Sequence, residues 1–191
     1  MKRLREENIN TQEYFDKQFD DKPVDKINLL RQEEYMRYVR YGNNVIELGC
    51  GMSYFPEMAR LRGAKSYGVD FSPIAIERLK YEFPGVFYMK CDATKTPFPD
   101  GKFDVVVSGE VIEHLEEPHA LTYEMARICK KGGYIIVSTP HLEFDDPEHI
   151  WEFEDQDLKN LLGLYGETIT KTIESDKFKG RKYIFAICQK R

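Results

Sequence analysis

Short apolar runs alternate with longer amphipathic segments along most of this chain. The clearest runs are VIEL at 45–48, FDVVVS at 103–108 and YIIVS at 134–138. Each run is brief and almost continuously apolar, which is typical of a strand that is buried on both faces. Because helix-like segments separate these runs, the pattern predicts an α/β fold with a mostly parallel sheet and helices on both of its faces.

The ends of several elements can be predicted from local residue types. Two helices are expected in the N-terminal segment, at 11–20 and 24–40. Ser72, followed by a proline, predicts the start of a further helix, because serine caps helices and proline suits the first turn. The last two of seven expected strands, at 168–173 and 183–189, have no helix between them. This predicts an antiparallel pair at one edge of the sheet, with the last strand antiparallel to the others.

Length and charge narrow the class of protein. The chain has 191 residues and a net charge of −5, which predicts a single domain and disfavours a general nucleic-acid binder. The first 40 residues are polar, charged and aromatic, and strand-like runs begin after them. This change divides the chain into a helical cap at 1–40 and an α/β part at 41–191.

Without a membrane-spanning apolar run or a signal peptide we expect a cytoplasmic protein. The four cysteines form no C-x-x-C pair, so we expect free thiols.

The loop after the first strand has the character of a nucleoside site. Gly49 and Gly51 allow the backbone to turn sharply and to lie close to a ligand. Asp70 ends the second strand and can accept hydrogen bonds from both hydroxyls of a ribose. A dinucleotide fingerprint has a third small residue where this chain has Tyr54. Glu47 suits a cationic group better than a pyrophosphate, so the loop disfavours a dinucleotide.

Four ordered segments within residues 40–165 carry a family resemblance. VIELGCGMS, YGVDFS, CDATKTPFPDGKFDVVVSGEVIEHLEEP and KKGGYIIVSTPH resemble successive motifs of the class I S-adenosylmethionine-dependent methyltransferases. The resemblance implies a Rossmann-like class I methyltransferase fold and S-adenosylmethionine as the cofactor. It also implies a set of cofactor-binding residues: Tyr14, Arg31, Glu47, Gly49, Cys50, Gly51, Asp70, Phe71, Ser72, Asp92, Ala93 and Glu110.

The resemblance assigns roles to some of these residues. It implies that Asp70 binds the ribose and that Asp92 meets the adenine amine. Glu47 would hold the amino-acid end of the cofactor. In the N-terminal segment, Tyr14 and Phe15 resemble an aromatic feature that closes over the cofactor, and Arg31 resembles an arginine that binds its carboxylate.

The candidate catalytic residues follow the fourth and fifth strands, where such folds place the acceptor pocket. A hydroxyl acceptor needs a base, whereas an amine need only arrive deprotonated. The candidates for this role are Glu113, His114 and His149, with His141 as a further histidine in the same region.

A metal site is the alternative interpretation of the same region. Glu110, Glu113 and His114 have the spacing of residues on one face of a helix turn. With His141 or His149 they could surround a divalent metal. This resembles the E-x-x-E-H pattern of small-RNA 3′-end ribose methyltransferases. Because the GEVIEHL segment also resembles methyltransferases that use no metal, we expect no metal and an activity that survives EDTA.

The expected function is methyl transfer from S-adenosylmethionine to oxygen or nitrogen of a small metabolite, by a monomer or homodimer. The short segment at 140–157 offers little material for binding a polymer, which favours a small acceptor. Three alternatives stay open. They are a metal-assisted RNA ribose 2′-O-methyltransferase, an NAD-dependent oxidoreductase and a non-catalytic cofactor-binding module.

Overall fold

The computed structural model describes residues 1–20, 29–141, 146–175 and 181–191. Its helices are α1 (Gln12–Asp20), α2 (Leu29–Met36), α3 (Phe55–Leu61), α4 (Pro73–Glu82), α5 (Pro118–Ile128) and α6 (Asp155–Gly163), with a 3₁₀ turn at Ile112–His114. Its strands are β1 (Lys2–Arg3), β2 (Asn44–Leu48), β3 (Lys65–Asp70), β4 (Phe87–Lys90), β5 (Phe103–Gly109), β6 (Cys129–Pro140), β7 (Trp151–Glu152), β8 (Gly166–Ser175) and β9 (Arg181–Lys190).

Seven of these strands form the central sheet, in the order β4-β3-β2-β5-β6-β9-β8. Strands β2 to β6 pair in parallel, and β9 runs antiparallel to both of its neighbours. The predicted mostly parallel sheet with an antiparallel last strand is therefore confirmed. The strand order reverses between β2 and β5, and in such sheets ligands bind beyond the carboxyl ends of the strands at this switch point.

Alternation along the strands divides the core between the two faces of the sheet. In β2, Ile46 and Leu48 are fully buried in the cluster that includes the apolar residues of α5 and α6. Val45 points to the other face and is buried with residues of α2 and α3, among them Tyr35 and Phe55. Helices thus cover both faces, as the continuously apolar strands predicted.

The helix ends show where local prediction succeeded and where it did not. Ser72 caps α4 as expected, and its hydroxyl oxygen accepts the Ala75 N–H at 3.2 Å. Helix α2 was predicted over 24–40, of which 24–28 lies outside the described residues. It ends at Met36, because the next three N–H groups bond to carbonyls three residues back rather than four.

The N-terminal segment crosses the carboxyl end of the sheet. Strand β1 pairs antiparallel with β7, and the Leu4 N–H donates to the Ile150 carbonyl at 2.7 Å. At the other end of the segment, Arg78 of α4 donates to the Asp20 carbonyl of α1 at 2.8 Å. The segment is therefore tied down at both ends of its path across the sheet.

Within the described ranges, no helix is both long enough and apolar enough to cross a membrane. All four cysteines are free thiols, and three of them are buried.

Candidate functional site

A cavity of about 720 Å³ lies at the switch point of the sheet. Its volume is within the range of sites that bind small molecules. The loops after β2, β3, β4 and β5 line it, together with the N-terminal segment and the start of β9. One end of the cavity contains the glycine loop and Asp70, and the other contains Glu113, His114 and His149.

The glycine loop has a backbone that other residues would not adopt easily. Gly49 has φ of 69° and Gly51 has φ of 44°. A Cβ atom on Gly49 would overlap the Val111 side chain, and one on Gly51 would lie 3.1 Å from the Phe19 ring. Both positions therefore favour glycine, because the backbone is left-handed and a side chain would press on Val111 or Phe19.

Asp70 holds the glycine loop and also faces the cavity. Its carboxylate accepts the Gly51 N–H at 2.8 Å and the Ser72 N–H at 2.9 Å, one on each oxygen. Burial raises the pKa of Asp70, and these two N–H groups act in the opposite direction. Each carboxylate oxygen has a second lone pair, so Asp70 can still accept two hydroxyl groups.

The walls near Asp70 are aromatic and apolar. Phe71 and Ala93 line the cavity beside Asp92. Phe15 of α1 lies edge-on to Phe71, with ring centroids 5.5 Å apart. Asp92 accepts the N–H and the hydroxyl of Thr94, both at 2.7 Å. This part of the cavity therefore combines apolar side chains with the carboxylates of Asp70 and Asp92, a combination that suits a purine riboside.

Charged groups of both signs face the middle of the cavity. The Arg31 guanidinium lies 3.3 Å from the Glu110 carboxylate, and Glu47 is almost fully buried nearby. Burial raises the pKa of Glu110 to about 7, against the opposing effect of Arg31. A cation beside two carboxylates can bind the carboxylate and the ammonium of an amino acid. The centre of the cavity therefore fits the methionine part of the cofactor.

The prediction that Glu110, Glu113 and His114 share one helix turn is wrong. Glu110 has φ of 57° and is the one non-glycine residue with a positive φ in the described ranges. It ends the strand in a left-handed conformation, and the 3₁₀ turn begins only at Ile112. The position of the Glu110 side chain is therefore set by the left-handed backbone at the end of β5 and not by helical spacing.

Two predicted cofactor residues lie outside the cavity lining of the described chain. Tyr14 donates its hydroxyl to the Glu148 carboxylate at 2.6 Å, and Ser72 is buried as the cap of α4. Phe15, the other aromatic candidate, lines the cavity together with Phe19 of α1. These two rings stack with centroids 5.9 Å apart, and their i, i+4 spacing was a signal for this shared face.

The remaining predicted cofactor residues line the cavity. They are Arg31, Glu47, Gly49, Cys50, Gly51, Asp70, Phe71, Asp92, Ala93 and Glu110. The cavity is also lined by residues that no sequence pattern singled out, namely Asn8, Asn10, Met52, Ser53, Lys182 and Tyr183. They lie on loops and strand ends far apart in the sequence, where local patterns give no signal for a shared site.

Glu113, His114 and His149 meet at the end of the cavity opposite the glycine loop. The imidazole rings of His114 and His149 have centroids 5.1 Å apart, and His114 Nε2 lies 3.9 Å from Glu113 Oε1. Burial raises the pKa of Glu113 to about 7. His141, the other histidine considered, is not part of the lining that the structure describes, so His149 is the histidine that joins the pair.

The fold defines the general class of this protein. A SAM-dependent methyltransferase from Archaeoglobus fulgidus has a similar structure, with a TM-score of 0.73 at 19% identity over 93% of this chain and 98% of that one. The phosphoethanolamine N-methyltransferase 2 of Haemonchus contortus, solved with S-adenosyl-L-methionine, aligns with a TM-score of 0.70 at 15% identity, covering 94% of this chain and 57% of that one. The fold is therefore that of the class I methyltransferases.

Sequence comparisons define the family. Residues 46–137 match the family model described as a methyltransferase domain. A ubiquinone biosynthesis O-methyltransferase of Azotobacter vinelandii is 32% identical over 133 residues, which cover 66% of this chain and 57% of that protein. These matches support a class I S-adenosylmethionine-dependent methyltransferase, the class whose cofactor is S-adenosylmethionine. The chain spans about half the length of the curated relatives that it matches.

Proposed function

We propose that this chain transfers the methyl group of S-adenosylmethionine to an oxygen or nitrogen atom of a small metabolite. One observation carries the proposal. A single cavity joins a nucleoside-type end, built around Asp70, to an end that contains Glu113, His114 and His149. The similarity to a ubiquinone biosynthesis O-methyltransferase supports a small acceptor.

The residues present fit the cofactor at three places. Asp70 has carboxylate lone pairs for the ribose hydroxyls, and Arg31 can bind the carboxylate of the methionine part. Glu47 and Glu110 supply negative charge for its ammonium group. The cofactor, when bound, supplies a methyl group that its sulfonium already makes electrophilic. The protein has to hold the acceptor in line with this group and to keep water out.

The N-terminal segment is suited to exclude water. Phe15 and Phe19 form the wall over the glycine loop and Phe71. Asn10 donates its amide N–H groups to the carbonyls of His114 and Glu148, at 3.0 and 2.8 Å. We therefore propose that residues 1–40 act as a cap on the methyltransferase part at 41–191.

The acceptor end contains groups that can hold or receive a proton. Glu113 is buried, and its raised pKa of about 7 suits proton exchange near neutral pH. His114 and His149 lie beside it and face the same cavity. We propose that these three side chains contact the acceptor, directly or through what they bind.

A transfer assay with methyl-labelled S-adenosylmethionine tests the proposed function. The purified chain is incubated with fractionated small-metabolite pools and, in parallel, with total RNA. We expect label in a small-metabolite fraction and stoichiometric S-adenosylhomocysteine. Label in RNA alone would instead support an RNA methyltransferase. A chain that binds S-adenosylhomocysteine and labels neither pool contradicts the small-metabolite assignment.

A further inference from the structure

Three potential metal ligands converge at the acceptor end of the cavity. One oxygen of Glu113 and one ring nitrogen each of His114 and His149 all lie within 4.8 Å of one another. The three residues come from two separate segments, the 3₁₀ turn after β5 and the chain before β7. The Ile150 N–H holds these segments together by donating to the Glu113 carbonyl at 2.8 Å.

The orientation of the His114 ring leaves one nitrogen available for a metal. Its Nδ1 lies 3.0 Å from the carbonyl oxygen of Glu148. A carbonyl can only accept, so Nδ1 carries the proton of the neutral ring and Nε2 has the lone pair. Nε2 is the nitrogen that faces Glu113, at 3.9 Å. A backbone carbonyl that fixes the tautomer in this way is typical of metal-binding histidines.

The Glu113 carboxylate is buried beside the two imidazoles. The residue is 1% exposed, and neither carboxylate oxygen has a hydrogen-bond partner among the described residues. A buried carboxylate is unfavourable unless a cation or a donor meets it. The Arg31 guanidinium forms an ion pair with Glu110, and its charge also acts on Glu113. A metal ion would add positive charge at the Glu113 carboxylate itself.

We propose that Glu113, His114 and His149 bind a divalent transition-metal ion. Two imidazoles and one carboxylate favour manganese, iron, cobalt or zinc over magnesium and calcium, which prefer oxygen ligands. Glu110 is not part of this cluster among the described residues, and its carboxylate pairs with Arg31 instead. The ligand set therefore differs from the one that the sequence spacing suggested, and it replaces the expectation of a metal-free site.

Three protein ligands leave coordination positions open, as in catalytic metal sites. Since all three residues line the cavity, an oxygen acceptor can occupy such a position and lose its proton more easily. This role in acceptor binding rests on the proposed function. The binding of the ion does not.

A metal titration of the full chain tests the proposal. Protein without a histidine tag is treated with EDTA, dialysed and titrated with Co²⁺, with visible absorption and calorimetry as readouts. We expect one ion per chain and a d–d spectrum of nitrogen and oxygen ligation. His149→Ala and Glu113→Gln should each weaken binding by at least about 10-fold, the lower bound seen for loss of mere outer-shell partners. His119→Ala, an exposed histidine on α5, is the matched control and should bind like the parent.

The outcomes separate this proposal from the proposed function. Absence of stoichiometric binding, or equal weakening by His119→Ala, contradicts the metal site. Unchanged binding by His149→Ala, with an unchanged melting temperature, contradicts it too. Calorimetry with S-adenosylhomocysteine on the same samples reports on the cofactor site alone. If the chain binds S-adenosylhomocysteine and no Co²⁺, only the metal proposal fails. If the chain binds Co²⁺ and no S-adenosylhomocysteine, the proposed function fails and the metal site stands.

Discussion

At the residue scale, Asp70 combines two tasks that are usually considered separately. Its carboxylate fixes the glycine loop through the Gly51 N–H and fixes the start of α4 through the Ser72 N–H. The remaining lone pairs face the cavity, where a ribose is expected. The sequence motif predicted the second task, but only the structure shows the first. Loss of Asp70 should therefore affect cofactor affinity both directly and through the loop.

Asp70→Ala tests this residue. A hydrogen bond to a charged group makes a net contribution of about 1.5–3 kcal/mol. We expect cofactor affinity to fall by roughly 2–4 kcal/mol, or about 30-fold to 10³-fold. Asp92→Ala is the matched variant and should lose less, because Asp92 would contact one amine. Calorimetry with S-adenosylhomocysteine measures both, and melting without ligand checks the fold. Parent-like binding by Asp70→Ala means that the ribose assignment is wrong.

Gly49→Ala tests the path of the glycine loop. The positive φ of Gly49 alone costs a side chain about 1–2 kcal/mol, and the added Cβ overlaps Val111. We expect urea unfolding to show a loss of at least that size. Val111→Ala in the same chain should recover the part due to overlap and leave the part due to φ. A variant as stable as the parent would contradict the loop geometry.

At the element scale, α5 is fastened to the loop after β4 by one buried carboxylate. Glu124 accepts the N–H and the hydroxyl of Thr96 on one oxygen, at 2.7 and 2.5 Å, and pairs with Arg127 at 2.7 Å. Burial alone would raise the pKa of Glu124, but Arg127 and Thr96 outweigh it, so the pKa is lowered. A lowered folded-state pKa stabilises the fold above the unfolded pKa of about 4.3.

Glu124→Gln should therefore lower stability in a pH-dependent way. We expect a loss of about 1–3 kcal/mol at pH 7, because a charged hydrogen-bond partner is removed from a buried site. The contribution is lost as pH falls through the folded pKa, so the difference between variant and parent should shrink in acid. Urea unfolding at neutral and acidic pH measures both values. If the stability difference between variant and parent stays constant or grows in acid, Glu124 is not held ionised by Arg127 and Thr96.

Elements could be predicted from sequence where one local signal decides them. The strands at 103–108 and 134–138 are continuous apolar runs, and the Ser72 cap is a local hydrogen bond. Tertiary contacts decide the rest. The pairing of β1 with β7 joins residues about 150 positions apart, and the left-handed Glu110 depends on the surrounding strand end. Because the loops that follow parallel strands meet at one edge of the sheet, their order predicted residues that line the cavity, whereas Tyr14 of the N-terminal segment lies outside that lining.

At the scale of the whole molecule, the first 20 residues join the two ends of the cavity. They contact the region of Glu148 through Asn10 and Tyr14, and they contact α4 through the Asp16 carboxylate and the Ser72 hydroxyl. We expect this segment to move when the cofactor enters, because Phe15 and Phe19 form part of the cavity wall. Opening of such a segment is a local event that need not unfold the sheet.

Hydrogen exchange measures this motion. S-adenosylhomocysteine at saturating concentration should slow amide exchange in α1, because a bound ligand disfavours the open state. Amides of α6 beyond its first turn serve as the internal control and should change less. The first turn is left out because Asp157 pairs with the Met1 ammonium group. Equal protection of α1 and α6 would mean that the ligand only raises global stability. No protection of α1 would show that the segment does not close on the cofactor.

One calorimetric comparison tests whether the cavity binds S-adenosylmethionine rather than a dinucleotide. The full chain is titrated with S-adenosylhomocysteine and, from the same preparation, with NAD. We expect one S-adenosylhomocysteine site per chain with a dissociation constant in the micromolar range, and no measurable NAD binding. Tight NAD binding without a response to S-adenosylhomocysteine would contradict this expectation.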